Sequence, residues 1–214
     1  MCVKSIRQLF AKADFEPPTN EPSIIKEGVQ TKDLNRLYLL PFRVTKEIKL
    51  SIFQIKIIHN ILPLKDYLKK VGIKADDICP FCSDSKRHTC EHFFYLCKQA
   101  QCFWKEFQNW WLIHIDPKSQ ITLDSKTVLY GQLSNSSFSL LLNHLILIAK
   151  QHMYYNFIKE EKYSFESFLK YATNKYHLEK RIALAQINEQ SSALFRKKWA
   201  PFINFLQKLH NIAI

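Results

Sequence analysis

Four side chains within residues 79–97 have the types and spacing to hold a metal ion. Cys79 and Cys82 are separated by two residues in the run C-P-F-C, close enough for one tight turn to aim both sulfurs at a point. His92 follows after nine intervening residues, and Cys97 after four more. Three thiolates and one imidazole in C-x2-C…H-x4-C spacing are a full tetrahedral set for zinc. With every corner taken by protein there is no position for water or substrate, so such a site stabilises a fold and does no chemistry. Three thiolates around Zn2+ carry a net charge of about −1, which Lys86, Arg87 and Lys98 flank. His88 and Cys90 are also close enough to act as ligands, so the exact set stays open. His92 is preferred because it sits about one helical turn before Leu96 and Cys97, where a helix can face it to the cysteine turn. Cys102 is expected to pack as a small apolar residue. Phe81, Phe93, Phe94 and Tyr95 suit either stacking on unpaired bases or covering the metal. The acids Asp76, Asp77, Asp84 and Glu91 read as turn and cap residues. No catalytic residue is expected, and the chain is not expected to be an enzyme.

The elements that must position this cluster read as helices. Glycine occurs 3 times and proline 8 times in 214 residues, too few turn formers for a strand-rich fold. The expected fold is mainly α, a helical domain with a small embedded Cys3His zinc knuckle and few or no strands. A short helix over residues 3–13 and a proline-bearing connector over 15–22 precede the ordered part, which begins near Leu34. Thr45 is the expected N-cap of a helix to about residue 61, with Ile48, Ile52, Phe53, Ile55, Ile57 and Ile58 at helical spacing. Pro63 suits the first position of the next helix, whose apolar face is Leu64, Tyr67, Leu68 and Val71, and Gly72 its left-handed stop. Thr89 can cap a helix that carries His92, and an amphipathic helix with Phe103, Trp104, Phe107, Trp110 and Trp111 follows. Residues 127–130 read as one short extended piece. Ser137 and Ser164 can cap two long helices to about residues 159 and 190, the second with Phe165, Phe168, Leu169, Ala172, Tyr176 and Leu184 inward. A last helix starts near Ser191, and Pro201 should kink or split it.

The formal charge of +12 and pI near 9.4 suit a polyanionic partner, since phosphates release counterions on binding. Between residues 43 and 74 eight bases face two acids. Arg43, Lys46, Lys49, Lys56, Lys65, Lys69 and Lys70, with Lys86 and Arg87 beside the cysteine turn, are the candidate nucleic-acid contacts. The expected partners are RNA or DNA, bound through phosphates with little sequence preference. A plain solvated face is the competing account of any single lysine. No secretory signal is visible and the longest apolar run, residues 140–149, is too short to span a bilayer. An intracellular chain in nucleus or cytoplasm, with reduced thiols and no membrane contact, is expected.

Residues 36–112 resemble the zinc-binding region at the carboxy-terminal end of LINE-type (non-LTR) retrotransposon reverse transcriptases. The matching stretches are LLPFRVT at 39–45, KLSIFQIKIIHNIL at 49–62, Leu68, Gly72-Ile73, Cys79-Pro80-Phe81-Cys82, Glu91-His92-Phe93-Phe94, Cys97, and Phe103-Trp104 with Trp110. Val128-Leu129-Tyr130-Gly131 and the helices after Ser137 resemble the helical tail of that family. The cluster residues are the specific part of the likeness. It implies a module that accompanies a reverse transcriptase and helps it engage template RNA or target DNA. This sequence shows no Y-x-D-D polymerase motif and no endonuclease constellation. The expectation is an accessory domain without polymerase and endonuclease domains; the alternatives are a module that docks on a polymerase body, or an inactive retroelement fragment. The expected organisation is a poorly structured segment over 1–33, the zinc-binding domain over 34–114 and a helical tail over 115–214 packed on it.

Overall fold

The computed structural model describes residues 31–82, 85–133, 136–185 and 189–212. The short helix and connector expected within residues 3–22, the segment 1–30 as a whole, and Asp84 lie outside the described residues. Eight α-helices follow one another in the described chain: α1 (Thr31–Val44), α2 (Ile48–Ile58), α3 (Lys65–Lys70), α4 (Lys98–His114), α5 (Ser125–Tyr130), α6 (Ser137–Ile158), α7 (Phe165–Ala185) and α8 (Glu189–Ile212). One wide turn with i→i+5 geometry, His92–Leu96, precedes α4. Among the described residues there is no strand, only a single antiparallel bridge between Ile78 and Arg87. The expected mainly α fold with an embedded knuckle is what forms.

The core is built around α6. Every residue from 141 to 154 is buried, as suits a helix that is apolar nearly all round. It packs on α1, α2, α7 and α8, while α7 also contacts α4. Ser136, one residue earlier than expected, caps it by accepting the Ser139 N–H at 3.0 Å. Ser164 accepts the Ser167 N–H at 3.1 Å before α7. Leu184 near the end of α7 points out instead of in, 72 % exposed. Helix α8 runs through Pro201 as one element.

Three local readings are corrected by the structure. Residues 127–130 are the end of helix α5, whose start Asp124 caps by accepting the Thr127 N–H at 2.7 Å. Pro41 lies inside α1, and α2 starts at Ile48 with Glu47 as its N-cap. Thr45 is buried in the link between them instead of capping. Pro63 precedes the helix it was expected to open, because Leu64 is the N-cap of α3. Gly72 does stop α3 with φ of 76°: its N–H donates to Lys69 O and the Ile73 N–H to Leu68 O, the Schellman pattern that favours glycine.

Polar residues lock this core at two places. Glu179 on α7 is buried and accepts from the Thr45 hydroxyl at 2.6 Å, the Lys46 N–H at 3.1 Å, Lys198 Nζ at 2.7 Å and Trp199 Nε1 at 3.0 Å. Lys198 also donates to Val44 O at 2.7 Å and meets His144 Nδ1 at 3.1 Å. His144 Nε2 lies 3.6 Å from Glu179. Burial opposes ionisation of Glu179, but His144, Lys198 and Thr45 outweigh it and bring the carboxyl down to about 2. Burial pushes His144 down to about 3, so it is a neutral ring that accepts from Lys198 through Nδ1. The second lock is Lys150 on α6, whose Nζ donates to Gln54 Oε1 at 2.6 Å and Leu129 O at 2.8 Å. It holds α2 and the end of α5 to the core, and burial pushes its amine down to about 7.

Truncating one partner of a buried charge cluster leaves the others uncompensated. Glu179→Ala is therefore expected to cost about 3–5 kcal/mol, read by urea unfolding of the zinc-loaded protein. His144 titrates near 6.5 when unfolded but near 3 when folded, so the unfolded chain binds the proton the fold refuses. Stability is then lost as pH falls below about 6.5, and Glu179 adds a further loss between about 4.5 and 2. In thermal melts of the zinc-loaded protein at pH 7.5, 6.5 and 5.5, His144→Gln should flatten the dependence; a slope equal to the wild type's would assign it elsewhere.

Candidate metal centre

The turn that carries Cys79 and Cys82 is closed by the bridge between Ile78 and Arg87. The Cys79 N–H donates to Lys86 O at 2.9 Å and the His88 N–H to Asp77 O at 2.7 Å. Inside it the Phe81 N–H points at Cys79 Sγ, 3.4 Å away, a contact that offsets thiolate charge. Ionic pairs fasten this hairpin to α3. Asp66, buried on α3, pairs with Lys70 at 2.6 Å and with Arg87, which also reaches Asp77 at 3.2 Å. Lys65 pairs with Asp76 and Lys69 with Asp77, each at 2.9 Å.

The other two donors come from the wide turn. Thr89 acts as expected: its hydroxyl accepts the His92 N–H at 3.1 Å. In a regular α-helix residues five apart diverge by about 140°. Here the Cys97 N–H donates back to His92 O at 2.7 Å, and that wider turn returns Cys97 to the side of His92. Cys97 then adopts an extended conformation and becomes the N-cap of α4. The Phe94 carbonyl accepts Trp104 Nε1 at 2.6 Å, tying the wide turn to α4. On its other side Ser125 donates to Glu91 at 2.8 Å.

The donor atoms of Cys79, Cys82, His92 and Cys97 all lie within 4.8 Å of one another, and Cys82 Sγ is 3.3 Å from His92 Nε2. A tetrahedral zinc with Zn–S near 2.3 Å has S···S edges of about 3.8 Å, so the set needs only a small contraction to close on the ion. The sulfurs are chemically poised as well. Contact with Cys79 and the facing amides of Gln99 and Ala100 at the start of α4 bring the Cys97 thiol down to about 5. The same contact, with burial, pushes Cys79 up. The two thus share one proton, which the metal would displace.

Of the two candidate histidines, His92 is the one that lies in the donor cluster. His88 is fully buried between Phe93 and Phe157, ring centroids 5.1 and 4.9 Å away, and burial pushes it down to about 4. Its Nδ1 accepts the Lys65 N–H at 3.4 Å. Cys90 is buried apart from the cluster and pushed up to about 12 by desolvation. Cys102 is exposed on α4, contrary to the expected apolar packing. Phe93 and Phe94 are fully buried and Phe81 packs against Phe93, Phe157 and Tyr163, so these rings form the wall of the site.

Residues 30–104 match the family model described as zinc-binding in reverse transcriptase. No curated protein and no solved structure matches the chain. The match covers just over a third of the chain and contains all four donors. That stretch is similar to the zinc-binding regions of reverse transcriptases, and zinc is the ion that the donor set suits.

Of the candidate phosphate contacts, Arg43, Lys46, Lys49, Lys56 and Lys86 are exposed. Lys65, Lys69, Lys70 and Arg87 are drawn into the pairs with Asp66, Asp76 and Asp77. Sequence reasoning read Asp76 and Asp77 as turn residues; pairing across the knuckle has no periodic signature. Glu179 had no signal there at all.

Removing the ion should release the knuckle from α3 and α4. Chelation, or Cys82→Ser, is expected to unfold at least residues 73–104, seen as lost amide-exchange protection there. Cys90→Ser and His88→Gln should each retain one zinc per chain, whereas His92→Ala should lose it; equal zinc content in all variants would sink the assignment.

Proposed function

We propose that this chain is a zinc-stabilised, non-catalytic module of a non-LTR retrotransposon reverse transcriptase that binds nucleic acid. The observation that carries the reading is the family match over residues 30–104 together with a donor set closed on all four sides. A closed set suits a structural ion and offers no site for hydrolysis. The charge of +12 favours a phosphate-rich partner. Within the basic stretch, Lys49 and Lys56 stand two turns apart on the exposed face of α2, and no carboxylate pairs with them among the described residues. Arg43 and Lys46 lie just before that helix. These four carry the phosphate contacts, while Lys65, Lys69, Lys70 and Arg87 chiefly brace the knuckle. RNA and DNA single strands are both partners, in nucleus or cytoplasm. No described helix is long and apolar enough to cross a membrane.

A second reading is favoured by one observation. Ile48 and Ile52 lie on the same face of α2 as Lys49 and Lys56 and are 69 % and 47 % exposed. That face suits a module that docks on a polymerase body as well as on a strand.

The two part in a salt titration with fluorescent single-stranded RNA and DNA. Binding should weaken with a log–log slope that falls by about 0.7 for each lysine reversed, tested with Lys49→Glu and Lys56→Glu. Absence of binding at 50 mM salt, or indifference to both reversals, would remove the nucleic-acid reading and leave docking.

A further inference from the structure

A pocket of about 170 Å3 opens where the end of α2 and helix α5 meet the chain just before His92. Its walls include Ile57, Asn60, Thr89, Glu91, Leu129 and Tyr130. It is smaller than a site for a drug-sized ligand, with room for one flat ring system. Resting on the nucleic-acid reading above, we infer that this pocket takes one base of a bound single strand and favours a base with an exocyclic amino group.

Three observations support that occupant. The first is unused hydrogen-bonding capacity. Asn60 closes α2 in the left-handed conformation, with φ of 53°. Its N–H donates to Ile57 O and the Ile61 N–H to Lys56 O, each at 3.0 Å. That cap uses the backbone alone, and the Asn60 side-chain amide has no partner among the described residues. Thr89 Oγ accepts the His92 N–H and keeps its own proton to donate. Glu91 accepts from Ser125 through Oε1 at 2.8 Å, which leaves Oε2 open among the described residues. The second is the match of these groups to base edges. A side-chain amide pairs with the amino donor and ring-nitrogen acceptor of adenine, and a carboxylate accepts from the amino group of cytosine. Thymine presents a carbonyl at the equivalent position and would set it against Glu91. Ile57, Leu129 and Tyr130 supply apolar walls for a base splayed out of its strand. The third is the placement of charge. Glu91 repels phosphate from the pocket itself, while Lys56 stands one turn before Asn60 and Lys126 one turn before Tyr130. Both lysines are exposed, and neither pairs with a carboxylate among the described residues. The base thus enters the pocket while its flanking phosphates stay outside on Lys56 and Lys126.

The test compares three fluorescein-labelled thymidine 10-mers, with adenine, cytosine or thymine at the centre, by anisotropy at 50 mM salt. Wild type should bind the adenine and cytosine strands about five- to a hundredfold more tightly than the thymine strand. Asn60→Gly separates the cap from the amide. Glycine suits the left-handed position, so the melting temperature should hold or rise while the preference is lost. Glu91→Gln, which can still accept from Ser125, should narrow the preference. Lys56→Glu with Lys126→Glu should weaken all three strands and flatten the salt slope. Unchanged zinc content and circular dichroism confirm that each variant folds. If wild type binds the three strands alike, the pocket assignment falls while the nucleic-acid reading stands. If the preference survives Asn60→Gly, the base is read elsewhere and the pocket assignment is overturned. If wild type binds no strand, the nucleic-acid reading itself fails, and the pocket with it.

Discussion

Glu179 is the constraint on which the arrangement of the long helices depends. Its carboxylate is buried on α7, and a charge there is tolerable only if every lone pair finds a donor and a cation stands beside it. The donors come from two other places in the chain: Thr45 and Lys46 in the link after α1, and Lys198 and Trp199 on α8. Satisfying one oxygen pair therefore fixes where α1 ends and how α8 lies on α7. His144 brings α6 into the same cluster through Lys198. The apolar helix α6 could slide or rotate among hydrophobic neighbours at small cost, but the cluster permits one register.

The knuckle is organised by the same logic at smaller scale. Six residues of α3 and one bridge would not hold a hairpin in water. The salt bridges from Asp66, Asp76 and Asp77 fasten it on one side and the aromatic wall of Phe81, Phe93 and Phe157 on the other. Exposed pairs contribute little each, so most of the holding falls to buried Asp66, the wall and the ion. Cys97 belongs to two elements at once, as a member of the donor cluster and as the N-cap of α4. Metal binding and the start of that helix are one event.

The donor set was legible because it is local: four residues within nineteen, with spacing that has few other meanings. The helical class was legible from scarce glycine and long apolar periodicity. Long-range polar pairing was not. Thr45 and Glu179 are 134 residues apart, and Thr45 followed by an isoleucine-rich run looks like an N-cap until its hydroxyl is seen to be engaged elsewhere. Val128 and Tyr130 suggested a strand by type, while the Asp124 cap that makes a helix of them was in the sequence and outweighs two side-chain preferences. Ile48, Ile52, Val71 and Leu184 fit a helical apolar stripe yet face solvent, since periodicity sets a face and neighbours decide whether it is covered.

The wide turn at His92–Leu96 has a consequence for how related chains can differ. Loss of one residue between His92 and Cys97 would allow an ordinary α-turn to bring the two ligands together, because positions four apart already share a helix face. Gain of one residue has no such remedy and would swing the sulfur away from the ion. Length variation in this interval should thus be one-sided, with shortened relatives that keep the metal and lengthened ones that lose it. Insertions should instead collect between Cys82 and Lys86, beyond the bridge that closes the hairpin.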